Sequence, residues 1–201
     1  MKFPPEKSQR FLVRLKNRDI ALAGVMTALT ACGAFIKIPL PYVPLTLQTL
    51  FVYLSGALLG ARLGALSQAA YVILGLIGIP LFAGGGGAAY VLHPTFGYLI
   101  GFIIAAYLIG RIVGQKSRIG YARMLGAMSV GLCAVYLFGV PIFYLNVRLL
   151  SEAPLSFWNI FKLGCLLPLP GDVMKILVAA WLATRVRGKK TKNLSTSPNF
   201  Y

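Results

Sequence analysis

The chain has 201 residues, 58% of them hydrophobic and only 12% charged, with a formal net charge of +16. Soluble globular domains carry about 25% charged residues, so this composition excludes a water-soluble globule and requires lipid as part of the solvent. A basic balance alone would suit nucleic acid. No aromatic stacking platform accompanies the basic residues, however, and their positions argue against nucleic acid as a partner.

In chain order, a basic segment (1–19) carries Lys2, Lys7, Arg10, Arg14, Lys16 and Arg18 and leads into an apolar run over 20–38. Pro39, Pro41 and Pro44 stop that run, because proline denies a helix its backbone donor and clashes with the preceding turn. Gly24, Ala28 and Cys32 recur four apart along it, a small-residue stripe that permits close contact with a neighbouring helix or with a partner. The segment Leu29-Thr30-Ala31-Cys32 resembles a lipobox, but the apolar stretch continues past Cys32 and reads as an ordinary first membrane helix. A second run covers 45–61 and a third 64–79, with Arg62 in a tight turn between them. No Asp, Glu, Lys or Arg occurs from Leu63 to Ile109, and a span needs about 20 apolar residues, so this interval holds two spans and a loop.

Pro80 closes the third run ahead of a glycine-rich stretch, residues 81–90, whose centre is predicted to form no stable helix. The fourth run covers 94–110, an inner basic loop carries Arg111, Lys116, Arg118 and Arg123, and the fifth run covers 125–147. Pro168 and Pro170 divide the last run, and proline is best tolerated in a helix's first turn. The sixth helix is therefore predicted from Pro170 to about Arg185, with 157–167 as an interfacial segment that holds Trp158 at headgroup depth.

These runs predict an all-α, polytopic membrane protein. It has six transmembrane helices over 20–187 and a basic, disordered tail over 188–201. Six crossings put both termini on one side. Sixteen of the 20 basic residues flank the runs on that side, which by the positive-inside rule is the cytoplasm of a bacterial cell with the protein in its inner membrane. Cys32, Cys133 and Cys165 lie in apolar stretches without metal-ligand spacing and read as small hydrophobes.

Of the four acidic residues, only Asp172 falls within a spanning run, where an ionisable group is expensive and marks function. Lys175 follows on the same helical face. Either the two form an ion pair that makes the helix insertable, or they hold a polar ligand in a first turn rich in free N–H groups. Thr46, Gln48, Thr49, Tyr90, His93, Thr95 and Tyr98 lie where outer loops meet helices and are expected to converge on the outer half of the bundle. Enzymatic readings lack their parts. There is no Gly-x-Ser-x-Gly elbow, one intramembrane Asp cannot cage a divalent ion, and no P-loop is present. A non-catalytic protein without cofactor is expected.

Four stretches carry a resemblance: Val43-Pro44-Leu45-Thr46-Leu47-Gln48-Thr49-Leu50, Gly78-Ile79-Pro80-Leu81-Phe82-Ala83-Gly84-Gly85, His93-Pro94-Thr95-Phe96-Gly97-Tyr98-Leu99-Ile100-Gly101-Phe102 and Pro168-Leu169-Pro170-Gly171-Asp172-Val173-Met174-Lys175. In this order they resemble the BioY family, the biotin-specific S components of energy-coupling-factor (ECF) transporters, over residues 20–187. One departure is His93-Pro94-Thr95-Phe96-Gly97-Tyr98, where the family commonly has Gly-Pro-Thr-Gly-Gly-Tyr. The resemblance implies biotin held near the outer face by the loops after the first and third helices. Asp172 and Lys175 would make polar contacts, with Gln48 and the 82–90 loop, including Gly84 and Gly85, around them. It also implies that the Gly24, Ala28 and Cys32 stripe docks on a transmembrane T subunit that works with two ATPase subunits. Biotin's ureido N–H groups suit a carboxylate such as Asp172 and its oxygens suit Lys175, while Phe82, Tyr90 and Tyr42 would cover its rings. An S component for another vitamin and a self-sufficient carrier or channel are the alternatives. A carrier should show paired discontinuous helices and related halves, and this sequence offers one interrupted segment.

Overall fold

The computed structural model describes residues 16–114, 119–151 and 155–195. Lys2, Lys7, Arg10, Arg14, Lys116, Arg118 and the end of the tail lie outside the described residues. The described residues form seven α-helices: α1 (Asn17–Phe35), α2 (Gln48–Leu59), α3 (Ala61–Leu76), α4 (Phe96–Val113), α5 (Tyr121–Leu150), α6 (Phe157–Phe161) and α7 (Leu169–Ser195). A π-helical turn, Lys162–Leu166, links α6 almost continuously to α7. The expected sixth element is therefore one interrupted unit, and the bundle has six helical units of an all-α membrane protein. The last helix begins one residue before Pro170 and continues past the expected Arg185 to Ser195.

Among the described residues, α1, α4, α5 and the stretch Phe157–Gly188 are long and apolar enough to cross a membrane. The other two are short. With 12 and 16 residues, α2 and α3 rise only about 18 and 24 Å at 1.5 Å per residue. The missing length of α2 is taken up by a hairpin, β1 (Lys37–Ile38) paired antiparallel with β2 (Leu45–Thr46), that reaches down into the bundle. Non-helical backbone at membrane depth is tolerated where protein buries it or where it lines a cavity, and this hairpin does the latter.

A single residue, Gly60, joins α2 to α3 at φ 83°, ψ 178°, a conformation essentially reserved for glycine. Close approach of α4 and α5 also depends on absent side chains: a Cβ at Gly101 would lie 2.7 Å from Val135 Cα. Polar glue binds α1, α2 and α3. The Nε2 of buried Gln68 lies 3.2 Å from each of the hydroxyls of Thr30, Ser55 and Ser67, which share its two N–H donors, and Thr27 donates to the Ser67 carbonyl at 2.8 Å. Such bonds matter between membrane helices because lipid supplies no hydrophobic drive for their association.

The charges separate along the bundle. At one end Arg187 donates to the Gly114 carbonyl and Arg123 to the Ile112 carbonyl, both at 2.8 Å, so the C-terminal ends of α4 and α7 meet the start of α5. The opposite end carries the hairpin, the glycine-rich loop and the start of α7. There, Trp158 and Phe157 of α6 are more than half exposed, as an interfacial helix requires.

Candidate binding site

The start of α7 lies against the hairpin and the first turn of α2. A bulky residue at Gly171 would strike the Leu45 side chain, with a Cβ only 2.6 Å from Leu45 Cδ2, so the close fit of α7 to β2 brings Asp172 and Lys175 inward. Both are buried, at 4% and 7% exposure. Asp172 Oδ1 meets Lys175 Nζ at 2.5 Å and accepts from Thr49 Oγ1 at 3.1 Å, while Oδ2 accepts from Tyr136 of α5 at 2.5 Å. Lys175 Nζ also donates to the Thr46 carbonyl at 2.8 Å. The ion pair is thus tied to β2, α2 and α5 at once.

This pair forms the floor of a small, partly closed cavity of about 50 Å³. Val43, Pro44 and Leu45 from the hairpin, Leu99 and Phe102 from α4 and Val135 from α5 supply apolar walls. Gln48, Tyr90, Thr95 and Tyr98 join Asp172 and Lys175 in the lining. An ammonium has three donors and a carboxylate about four acceptor positions. Here Lys175 directs two donors and Asp172 uses three acceptor positions, which leaves one donor on Lys175 and one acceptor position on Asp172.

Gln48 is oriented rather than loose. Its Oε1 accepts from Thr46 Oγ1 at 2.9 Å, and its Nε2 donates to Tyr71 at 2.6 Å, which in turn donates to the Leu81 carbonyl at 3.0 Å. The hydroxyl of Tyr98 donates to the Gly164 carbonyl at 2.8 Å, satisfying backbone freed by the π-helical turn and holding the ring at the pocket wall.

The glycine-rich segment closes the pocket from outside. Phe82 and Gly85 bridge each other as a tiny antiparallel turn, after which Ala88–Leu92 form a 3₁₀ turn within the expected loop. Tyr90 stacks on His93 at 4.5 Å with its other side against Phe82, also at 4.5 Å. Thr95 Oγ1 joins the hydroxyl of Tyr90 at 2.9 Å and His93 Nδ1 at 2.8 Å. Burial pushes the Tyr90 phenol up and the His93 imidazole down from their usual pKa values. Gly84 runs beneath this stack, since a Cβ there would come 3.2 Å from His93 Nε2.

Three groupings emerge from the expected residues. Asp172, Lys175, Gln48, Tyr90 and Tyr98 share one pocket. Phe82, Gly84 and Gly85 form the layer behind Tyr90, with Phe82 only 2% exposed. Tyr42 stands outside the lining at 47% exposure, on the outer rim at φ 64° with its ring 5.7 Å from Phe143. Tyr136, which sequence reasoning did not single out, is the neighbour that completes the Asp172 shell. Its only signal was a hydroxyl within an otherwise apolar run. Asn146 was also missed, and it donates to the Val91 and His93 carbonyls at 3.1 and 3.0 Å, fastening the glycine-rich segment to α5.

The chain has recognisable relatives. The family model described as BioY matches residues 7–192. A probable biotin transporter from Lysinibacillus sphaericus is 41% identical over 84% of this chain and 86% of its own length. A biotin transporter from Thermotoga maritima is 39% identical over 85% of this chain and 96% of its own. A crystal structure of the S component for biotin from an ECF-type ABC transporter superposes with a TM-score of 0.62 at 29% identity, covering 85% of this chain and 90% of that one. The chain belongs to the BioY family.

Proposed function

We propose that the chain is the biotin-binding S component of an ECF-type importer, a transport subunit rather than an enzyme. The observation that carries this reading is the buried Asp172–Lys175 pair, which keeps one unused donor and one unused acceptor position in the lining of a largely apolar pocket. Biotin's ureido ring presents a matching N–H and C=O, and its fused rings are mostly apolar. Asp172 accepts from the ureido N–H, Lys175 donates to an oxygen, and Tyr98 and Tyr90 flank the rings. Gln48 orients the wall, while Phe82, Gly84 and Gly85 back the lid and Tyr42 guards its rim.

The importer's energy comes from elsewhere, because the sequence has no P-loop. We assign that role to a T subunit with two ATPases. Gly24, Ala28 and Cys32 lie on the exposed face of α1, and a Cβ at Gly24 would meet nothing within 4 Å. This favours docking over internal packing for the stripe. With the arginine-rich end in the cytoplasm, the pocket faces outward across the inner membrane, with residues 20–187 as the binding domain between cytoplasmic terminal segments. Calorimetry of the purified chain against biotin, thiamine and riboflavin tests the ligand: biotin alone should bind tightly. Tight binding of another vitamin instead would reassign the substrate, and concentrative uptake by the chain alone in vesicles without ATPase would favour a secondary carrier.

A further inference from the structure

At the arginine-rich end, far from the pocket described above, a second cleft of about 920 Å³ opens between the α2–α3 turn, the end of α4 and the end of α7. Three guanidinium groups from three elements line it, Arg62, Arg111 and Arg187, against one carboxylate, Asp19. Arg62 and Arg111 are exposed, and Arg187 is fixed by its bond to the Gly114 carbonyl at 2.8 Å. Tyr107, 42% exposed on α4, stands beside them one turn before Arg111. An amphipathic ring next to a cation is typical of headgroup depth.

One wall residue, Leu66, belongs equally to a third cavity, an apolar groove of about 680 Å³ between α1 and α3. The groove is walled by Ile20, Ala23, Gly24 and Ala28 on one side and Ala70 and Leu74 on the other. The two cavities thus adjoin across Leu66. A cationic mouth at the interface neighbours a lipophilic groove along the faces of two helices.

We infer that this composite cleft binds one anionic phospholipid, its phosphate among Arg62, Arg111 and Arg187 and an acyl chain in the α1–α3 groove. Guanidinium groups recognise phosphate through paired, charge-assisted bonds, and basic pockets between membrane helices select anionic headgroups. Small residues make the groove. Gly24, Ala28 and Ala70 leave the width that a larger side chain would fill. Because Gly24 and Ala28 also belong to the surface assigned to subunit docking, lipid and partner would compete for this face, the lipid covering it while the subunit is undocked. The lipid site itself rests on neither the biotin nor the docking assignment.

Native mass spectrometry of the full chain, exchanged into detergent with equal phosphatidylglycerol and phosphatidylcholine, tests the site. Phosphatidylglycerol should be retained at least about tenfold over phosphatidylcholine, since the site holds a net cationic excess worth roughly fivefold per arginine. Arg62→Gln should lower that retention about fivefold, and Arg62→Gln with Arg111→Gln roughly 25-fold, both substitutions falling at exposed positions that leave the core intact. Gly24→Leu, which fits open space, should lower retention by filling the groove. Equal retention of the two lipids, indifference to the double arginine change, or indifference to Gly24→Leu would overturn the inference. Displacement of the lipid by millimolar inorganic phosphate alone would also overturn it, by showing a soluble-anion site without a lipid chain.

Discussion

Asp172 and Lys175 are both ligand groups in the proposed mechanism and structural partners of each other, and a single substitution confounds the two roles. In Asp172→Ala, Lys175 stays at 7% exposure with only the Thr46 carbonyl as acceptor, while Thr49 and Tyr136 lose theirs. Breaking a buried pair in this way costs about 3–5 kcal/mol of stability, and loss of the ligand contact adds about 2–4 kcal/mol in biotin binding, roughly 30- to 1000-fold in Kd. Asp172→Asn should be milder, since the amide oxygen still accepts from Thr49 or Tyr136. The decisive protein is the double change Asp172→Leu with Lys175→Met, which replaces the pair by apolar groups of similar volume. Such replacements are often neutral or stabilising, so the double variant should regain much of the fold stability lost in Asp172→Ala. It should nevertheless bind biotin at least about 30-fold more weakly than the parent. Chemical unfolding and calorimetry on the same monodisperse preparations separate the terms. A well-folded double variant with parental biotin affinity would falsify the ligand role and leave the pair purely structural.

Three further outcomes are expected. Tyr136→Phe removes the 2.5 Å bond to Asp172 Oδ2, a hydrogen bond to a charged group worth about 1.5–3 kcal/mol; biotin affinity should fall as the carboxylate loses its tether, and an unchanged Kd would show that Tyr136 does not hold it. Burial lowers the His93 pKa from its ordinary 6.5, so the unfolded chain takes up the proton first and stability must decline as pH falls below about 6.5; thermal midpoints between pH 7.5 and 5 should drop more in the parent than in His93→Gln, and parallel curves would count against the Tyr90–His93 stack as the titrating element. Gly24→Trp should reduce biotin uptake in cells that contain the complete transporter more than it reduces biotin binding by the isolated chain, and normal uptake would remove the α1 stripe from the docking surface.

Composition and the spacing of apolar runs were enough to read the bundle, because lipid forces every backbone donor into helices and leaves the boundaries to proline, glycine and charge. Pro168 and Pro170 located the break before α7 within a residue, since a missing donor is a local property. The shortness of α2 and the insertion of β1 and β2 were not legible, because the apolar run 45–61 gives no sign that its first residues turn extended. Asp172 and Lys175 stood out as charges in an uncharged run. Tyr136 and Asn146 did not, because their importance lies in partners 36 residues or more away in sequence, and a lone hydroxyl or amide in an apolar helix has many bland uses. Tyr42 was drawn toward the site by its aromatic character, but its left-handed backbone turns it to the rim.

The lid's fastenings indicate how a pocket sealed by Tyr90 can admit a ligand. Lys37 of the hairpin donates to the Ala83 carbonyl at 2.6 Å, and Asn146 holds the carbonyls of Val91 and His93. Tyr71 also holds the Leu81 carbonyl, the Gly87 N–H bonds the Gly75 carbonyl and Tyr90 meets Thr95, while the Lys37 bond is exposed to water. A neutral hydrogen bond contributes about 0.5–1.5 kcal/mol net against about 1.5–3 kcal/mol for one to a charged group, so each neutral roof bond is weaker than each charged bond on the floor. The floor is tied to β2, α2, α5 and α7 together, which favours movement in the roof over movement in the floor. Glycines at 85 and 87, with φ of 117° and 104°, supply backbone angles around which the roof can hinge. On the proposed function, we expect the roof to open bond by bond over a preorganised charged floor, admitting the ligand without disturbing the ion pair, and closure to remove the ligand's polar ring and the pair from water together.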